Sequence, residues 1–220
     1  MTEATNPRKI KTPPFRMSFP SLLEPREDEE TKRKTYQLNM FLPPGVDLSP
    51  FKAALVAAME AEHGTDKSKW PKLKRGPAEV IRDFAAYNAD RDKPLAGEWA
   101  GWTLIRAGAG EKYPPSIVGP IKGADGKFPR ITDAREVYGG RWARATIEAY
   151  FYDHKSGGKG VTFGLLNVQL LKHDDPFGKA VTAPEADFEN ASEEWAGSDG
   201  DWGNGEKAPA EKSNSGDDWN

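Results

Sequence analysis

The chain of 220 residues contains no cysteine. That excludes a disulfide framework, a thiol nucleophile and any cysteine-based zinc site, and it fits a reducing compartment. Long apolar runs are missing too. No stretch approaches the roughly 20 residues of a membrane-spanning helix, and the opening MTEATNPRKIKTPPF lacks the apolar centre of a signal peptide. The expected location is therefore the cytoplasm, with no membrane partner. Motifs for catalysis are also lacking. His63, His154 and His173 are scattered without metal-ligand spacing. The glycine-rich AGAGE at 107–111 has no following Lys-Ser/Thr of a phosphate-binding loop, and no Gly-x-Ser-x-Gly occurs. Neither a cofactor nor a metal is expected, and an enzyme is disfavoured.

What is present is charge, unevenly spread. Of 31 Lys plus Arg and 34 Asp plus Glu in the whole chain, residues 185–220 hold two and eleven, so this stretch carries −9 and the first 184 residues +6. A basic body joined to an acidic tail suggests a nucleic-acid partner. The last stretch consists mostly of Gly, Ser, Asp, Glu and Asn with isolated Trp195, Trp202 and Trp219. Such a composition buries too little apolar surface to offset the entropy of ordering. The organisation expected is a flexible arm over 1–13, one domain over 14–180 and a disordered acidic tail over 181–220.

Within the domain the pattern is mainly β with a few helices. Phe15 to Phe19 and Thr35 to Leu42 alternate as strands. Ser49 as N-cap with Pro50 at the first position opens a helix, whose Phe51, Leu55, Val56 and Met59 share a face and which Gly64 ends. A short helix is expected around Ala78 to Tyr87. Trp99 to Arg106 reads as a strand, with AGAGE as a loop after it, and Ser116 to Ile121 as another strand. The clearest unit is a β-hairpin: Arg141 to Tyr152, a turn over Asp153 to Gly160, then Val161 to Leu171. In its first strand Ala143, Ala145, Ile147, Ala149 and Phe151 suit a packed interior, while Trp142, Arg144, Thr146, Glu148, Tyr150 and Tyr152 face out. In its second, Leu166, Val168 and Leu170 are the expected core set. The segment Asp174-Asp175-Pro176-Phe177 reads as a turn.

Flat rings and cations on one face are what a single strand of nucleic acid needs. Bases stack on rings, at roughly 1–3 kcal/mol each, and cations meet phosphates. The stacking candidates are Trp142, Tyr150, Tyr152, Tyr36 and Phe163; for Trp142, Tyr150 and Phe163 the alternative is ordinary packing. The phosphate candidates are Arg16, Lys34, Arg141, Arg144, Lys155 and Lys159. The cluster of Lys67, Lys69, Lys72, Lys74 and Arg75 around Trp70 is a weaker basic patch. In the tail, Asp217, Asp218 and Trp219 form a candidate anchor for a basic and apolar pocket on a partner protein, and the polyanion can compete with DNA for the body's cations.

The ordered set Phe15-Arg16-Met17-Ser18-Phe19-Pro20, Tyr36-Gln37-Leu38, Val137-Tyr138-Gly139-Gly140-Arg141-Trp142, Tyr150, Tyr152, Gly158-Lys159-Gly160 and Gly164-Leu165-Leu166-Asn167-Val168-Gln169 resembles the phage-encoded single-stranded DNA-binding proteins. The resemblance covers most of residues 14–178. It implies an OB-type barrel, binding of single-stranded DNA without sequence preference, a role in phage DNA replication or recombination, and no catalytic residues. Partners in that case are single-stranded DNA and, through the tail, replication or recombination proteins; a homo-oligomer stays open. Two rival readings remain. One is an interaction module whose acidic tail mimics DNA for a host factor. The other is a magnesium-dependent nuclease using Asp133, Glu136 and Glu148.

Overall fold

The computed structural model describes residues 6–155 and 158–177. Its elements run β1 (Lys9–Lys11), β2 (Phe15–Glu27), β3 (Lys34–Leu42), α1 (Ser49–His63), α2 (Pro77–Val80), β4 (Ile81–Asp83), α3 (Phe84–Ala89), β5 (Thr103–Gly110), β6 (Ser116–Val118), β7 (Trp142–His154) and β8 (Gly158–Leu170). The fold is mainly β. Strands β2, β3, β5, β8 and β7 are hydrogen-bonded in that order, and the β7–β8 hairpin together with β7–β2 closes them into a ring. Only the β5–β8 pairing within the ring is parallel. This is the strand order of an OB-type Greek-key barrel. The ring is closed but irregular: β2 meets β7 over Phe15↔Ala143 and Arg16↔Trp142, and β5 meets β8 over Ala107↔Phe163 and Gly108↔Gly164.

The core follows from strand alternation. Phe15, Met17, Leu38, Met40, Ile105, Ala145, Ile147, Val168 and Leu170 point into the ring and are buried. Helix α1 lies against β1, β7 and β8 and adds Phe51, Ala54, Leu55, Ala58 and Met59. Each large apolar side chain so buried contributes roughly 1.5–3 kcal/mol. The helix begins one residue early: Ser49 is its first residue and Leu48 its N-cap, while the Asp47 carboxylate accepts from the Ser49 N–H at 2.9 Å. Gly64, at φ 78°, ends it as expected.

Several expectations change. Lys9–Lys11, assigned to the arm, pair with Glu148, Ile147 and Thr146 of β7. Ala107 to Gly110 are strand, not loop, because β3 pairs with them as far as Thr35↔Gly110. The single helix expected over 78–87 is two short helices separated by β4. In β8 the register slips between Thr146↔Asn167 and Ile147↔Leu165, leaving Leu166 as a bulge. The slip moves Phe163 and Leu165 to the inside with Val168 and Leu170, and leaves Leu166 only half-buried. The tail over 181–220, with Asp217, Asp218 and Trp219, lies outside the described residues.

Candidate nucleic-acid interface

On the outside of the ring, β3, β5, β7 and β8 line a groove of about 460 Å³. Its cations are Arg33, Lys34, Arg75 and Arg106, its rings Tyr150, Tyr152, His154 and Phe163, and its lining contains no carboxylate. Alternation explains how the strands build it. Thr35 and Gln37 project from β3, Arg106, Gly108 and Gly110 from β5, Thr162 from β8, and Tyr150 and Tyr152 from β7. The glycines keep side chains out of the way. Gly160 faces Tyr152 across the hairpin, and a Cβ there would meet the Tyr152 hydroxyl at 2.5 Å and the Arg75 carbonyl at 3.0 Å. Gly164 lies in van der Waals contact with the Tyr150 ring, at 3.5 Å from where its Cβ would stand.

Arg75 reaches the groove from a distant part of the sequence. The Lys74 and Arg75 N–H groups donate to the Lys159 carbonyl, and the Val161 N–H donates to the Arg75 carbonyl. Its Nε is buried and has no hydrogen-bond partner among the described residues. Burial holds the Arg75 guanidinium below the usual arginine range, and the neighbouring Arg82 and Arg106 push it the same way. Such a group gains from an anion that accepts its hydrogen bonds. Arg106 is steered by donating Nε–H to Asn39 Oδ1 at 2.9 Å. Lys34 is exposed, 3.8 Å from Glu111. Tyr150 is 43% exposed, and partial burial raises its phenol above the ordinary tyrosine range, so at neutral pH the ring is uncharged.

Of the residues singled out by sequence, Tyr150, Tyr152 and Lys34 therefore meet in the groove. Phe163 touches it only from beneath. It is 1% exposed and packs edge-on against Phe51, with ring centroids 6.0 Å apart, so neither face is open to a base. Tyr36 is likewise buried, pointing into the ring. Lys155 and Lys159 are exposed at the hairpin end, with Lys159 3.3 Å from Asp153. Arg144 lies on the outer face but further along β7, donating to Gln169 Oε1 at 2.6 Å.

The remaining three stand at the opposite end of β7, where Lys172 to Phe177 folds back. Arg141 is 4% exposed, ion-paired with Glu136 and hydrogen-bonded to the Glu136 and Leu171 carbonyls. Arg16 donates to the Gly140 and Asp175 carbonyls, pairs with Asp174 at 3.6 Å and lies 4.4 Å over the Phe177 ring. Both guanidiniums are turned to acceptors of the chain itself and each is paired with a carboxylate, which corrects their assignment to phosphate, although the buried Arg141 Nε has no hydrogen-bond partner among the described residues. Trp142 donates its indole N–H to Asp174 at 2.6 Å, and the Lys172 ammonium sits 5.3 Å over its ring. It belongs to this clasp rather than beside Tyr150. The Asp-Asp-Pro-Phe segment, read as a turn, is the clasp itself. Phe177 packs on Phe41 and Trp99, and Gly140, at φ 111°, admits the Asp175 carbonyl where any Cβ would collide.

The nuclease candidates do not converge. Asp133 is held by Arg135, Glu136 by Arg141 and Glu148 by Arg8. Among the described residues no three His, Asp or Glu side chains are grouped to hold a metal ion, and no helix is long and apolar enough to cross a membrane.

Sequence reasoning missed Arg33 and Arg106 as groove cations, and it placed Arg75 in the weaker patch around Trp70 rather than in the groove. The alternation of Arg106, Gly108 and Gly110 opposite Asn39, Gln37 and Thr35 is the signal that would have found Arg106.

Comparison with known proteins agrees with this geometry. The single-stranded DNA-binding protein of bacteriophage Enc34, solved in complex with ssDNA, is similar with a TM-score of 0.59 and 23% identity, over 78% of this chain and 90% of that one. A C-terminal truncation of the same protein gives 0.56 and 22%, over 77% and 89%. A further structure of it gives 0.54 and 23%, over 82% and 90%. At this identity the likeness establishes the fold. No curated protein matches the chain. The family profile described as Enterobacter phage Enc34, ssDNA-binding protein, matches residues 8–198, and the chain belongs to that family.

Proposed function

We propose that the chain binds single-stranded DNA without sequence preference, in the groove between β3, β5, β7 and β8, and acts in phage DNA replication or recombination. The observation that carries the reading is four cations and two tyrosines around one groove with no carboxylate in its lining. A polyanion with flat, stackable bases suits that chemistry, and the half-buried Arg75 guanidinium in the groove lining gains from an anionic acceptor. Phosphates meet Arg33, Lys34, Arg75 and Arg106, and bases stack on Tyr150 and Tyr152. Nothing in this role requires catalysis. The Enc34 relative, solved with ssDNA, supports the reading by its fold.

The tail has two roles in this reading. Its −9 charge over residues 185–220 competes with DNA for the groove, and Asp217, Asp218 and Trp219 recruit replication proteins. Titrating labelled oligo-dT at several salt concentrations tests the first claim. Affinity should fall on a log–log plot by about 0.7 per phosphate neutralised, and a flat response rejects the groove. Deleting residues 185–220 should tighten binding; weaker binding by the truncated protein rejects competition.

A further inference from the structure

The five large apolar side chains most exposed among the described residues are Phe19, Tyr113, Ile121, Phe128 and Tyr150. Three of them, Tyr113, Ile121 and Phe128, lie in the connection from β5 to β7, at 76%, 77% and 36% exposure. The same connection carries Lys112, Lys122, Lys127 and Arg130, and the Lys122 ammonium lies 5.5 Å over the Phe128 ring. Its two carboxylates over 111–131 are already engaged. Glu111 faces Lys34 at 3.8 Å, and Asp125 accepts from the Lys127 N–H at 3.0 Å. Tyr113 and Ile121 are largely uncovered and Phe128 partly so, and rings beside cations are the pairing that marks the groove, repeated on a separate element.

That element is built, not slack. Gly119 N–H donates to the Pro129 carbonyl and Ile131 N–H to the Ile117 carbonyl, so β6 and 129–131 form the two sides of an arm. Gly123 N–H to the Lys127 carbonyl closes its tip. Gln169 ties its base to the barrel by donating to the Gly119 and Pro120 carbonyls, at 3.1 and 3.2 Å, and Arg144 in turn holds Gln169. The arm continues directly from the groove. Gly110 lines the groove, its carbonyl accepts from the Tyr113 N–H at 2.9 Å, and three residues later β6 pairs with β8. Along β7, Arg144 stands six residues from Tyr150 on the same face, about 20 Å at strand spacing. That separation is spanned by a few nucleotides.

We infer that the arm over Tyr113 to Arg130 is a second contact station for single-stranded DNA, with Tyr113 and Phe128 as stacking rings and Lys122 and Lys127 as phosphate contacts. It engages only strands long enough to leave the groove. The inference rests on the groove reading and extends the track beyond it.

The experiment uses the full-length protein, Tyr113→Ala/Phe128→Ala and Lys122→Ala/Lys127→Ala variants, and fluorescein-labelled oligo-dT of about six and about twenty nucleotides, which bracket usual single-barrel site sizes. With the long strand, the ring variant should lose about tenfold in affinity. The lysine variant should lower the salt slope by about 1.4, twice the ~0.7 per phosphate. With the short strand, both should bind within about twofold of the unmodified protein. Equal losses on both lengths would make the arm a support of the groove, and no loss on the long strand would remove it from the track; either overturns the inference. An Arg106→Ala control should weaken both lengths. If the unmodified protein binds neither, the groove reading itself fails.

Discussion

The two ends of β7 carry the same kinds of side chain in different company. At one end, Tyr150 and Tyr152 stand among Arg33, Arg75 and Arg106 with no carboxylate in the lining. At the other, Trp142 stands among Arg16, Arg141 and Lys172, but Asp174, Glu136 and four backbone carbonyls accept from the two arginines and the indole. Arginine next to an aromatic ring is therefore compatible with a binding surface and with an internal clasp. What separates them is carboxylate pairing: Asp174 faces Arg16 and Glu136 faces Arg141, whereas the groove lining holds no carboxylate. The clasp end holds the C-terminal stretch of the domain against the barrel, and the groove end is left with unspent charge.

The sharpest way to test the contrast lies on the hairpin. Phe163→Ala removes a ring sealed between the sheet and α1 and should cost about 3–5 kcal/mol in a denaturant titration. Tyr150→Ala, on the neighbouring strand with its ring facing the groove, should leave stability nearly intact. Its cost should instead be about 1–3 kcal/mol in DNA affinity. If Phe163→Ala folded normally and lost affinity, its placement in the core would be wrong.

The arginines give a smaller effect of the same form. Arg16→Ala should lower stability by about 1.5–3 kcal/mol, because it strands two carbonyls and Asp174. Its DNA salt slope should match that of the unmodified protein. Arg106→Ala should do the reverse, lowering the slope by about 0.7 at unchanged stability. Equal slopes for the two variants would mean that pairing with a carboxylate of the chain does not decide which cations meet phosphate.

The hairpin, α1 and the β-dominated class were legible because they rest on local periodicity. Alternation of Ala143, Ala145, Ile147 and Ala149 with Trp142, Arg144, Glu148 and Tyr150 needs no tertiary information. The groove was legible in part. Its tyrosines sit on that same strand, whereas Arg75 arrives through main-chain hydrogen bonds to Lys159 that no spacing reveals. Ala107 to Gly110 looked like a loop because glycine lacks strand propensity. Here it is strand for a packing reason, keeping the outer face of β5 clear. Phe163 was misjudged because a one-residue bulge at Leu166 reverses the faces of β8, and nothing local announces it. Arg141 resembled Arg144 in sequence. Only the return of Leu171 and the approach of Glu136 distinguish them.

Proton linkage offers the smallest and most local test. The Trp142 indole N–H is the main cause holding Asp174 below the ordinary carboxylate range, with the Asp175 N–H, Arg16 and Lys172 adding to it. A carboxyl depressed on folding stabilises the native state above its unfolded pKa, and the contribution disappears as pH falls through the folded value. The clasp should thus hold at neutral pH and loosen only below the usual carboxylate range. Glu136, depressed chiefly by its hydrogen bond from Arg141, acts in the same direction. Trp142→Phe keeps a ring but removes the donor. The Asp174 titration, followed by its carboxyl carbon in NMR, should move up toward the ordinary range, and acid loosening should begin at higher pH. Affinity for a short oligo-dT should stay unchanged, since the groove end of β7 is untouched. An unmoved Asp174 titration would show that Arg16 and the backbone, rather than the indole, fix the clasp.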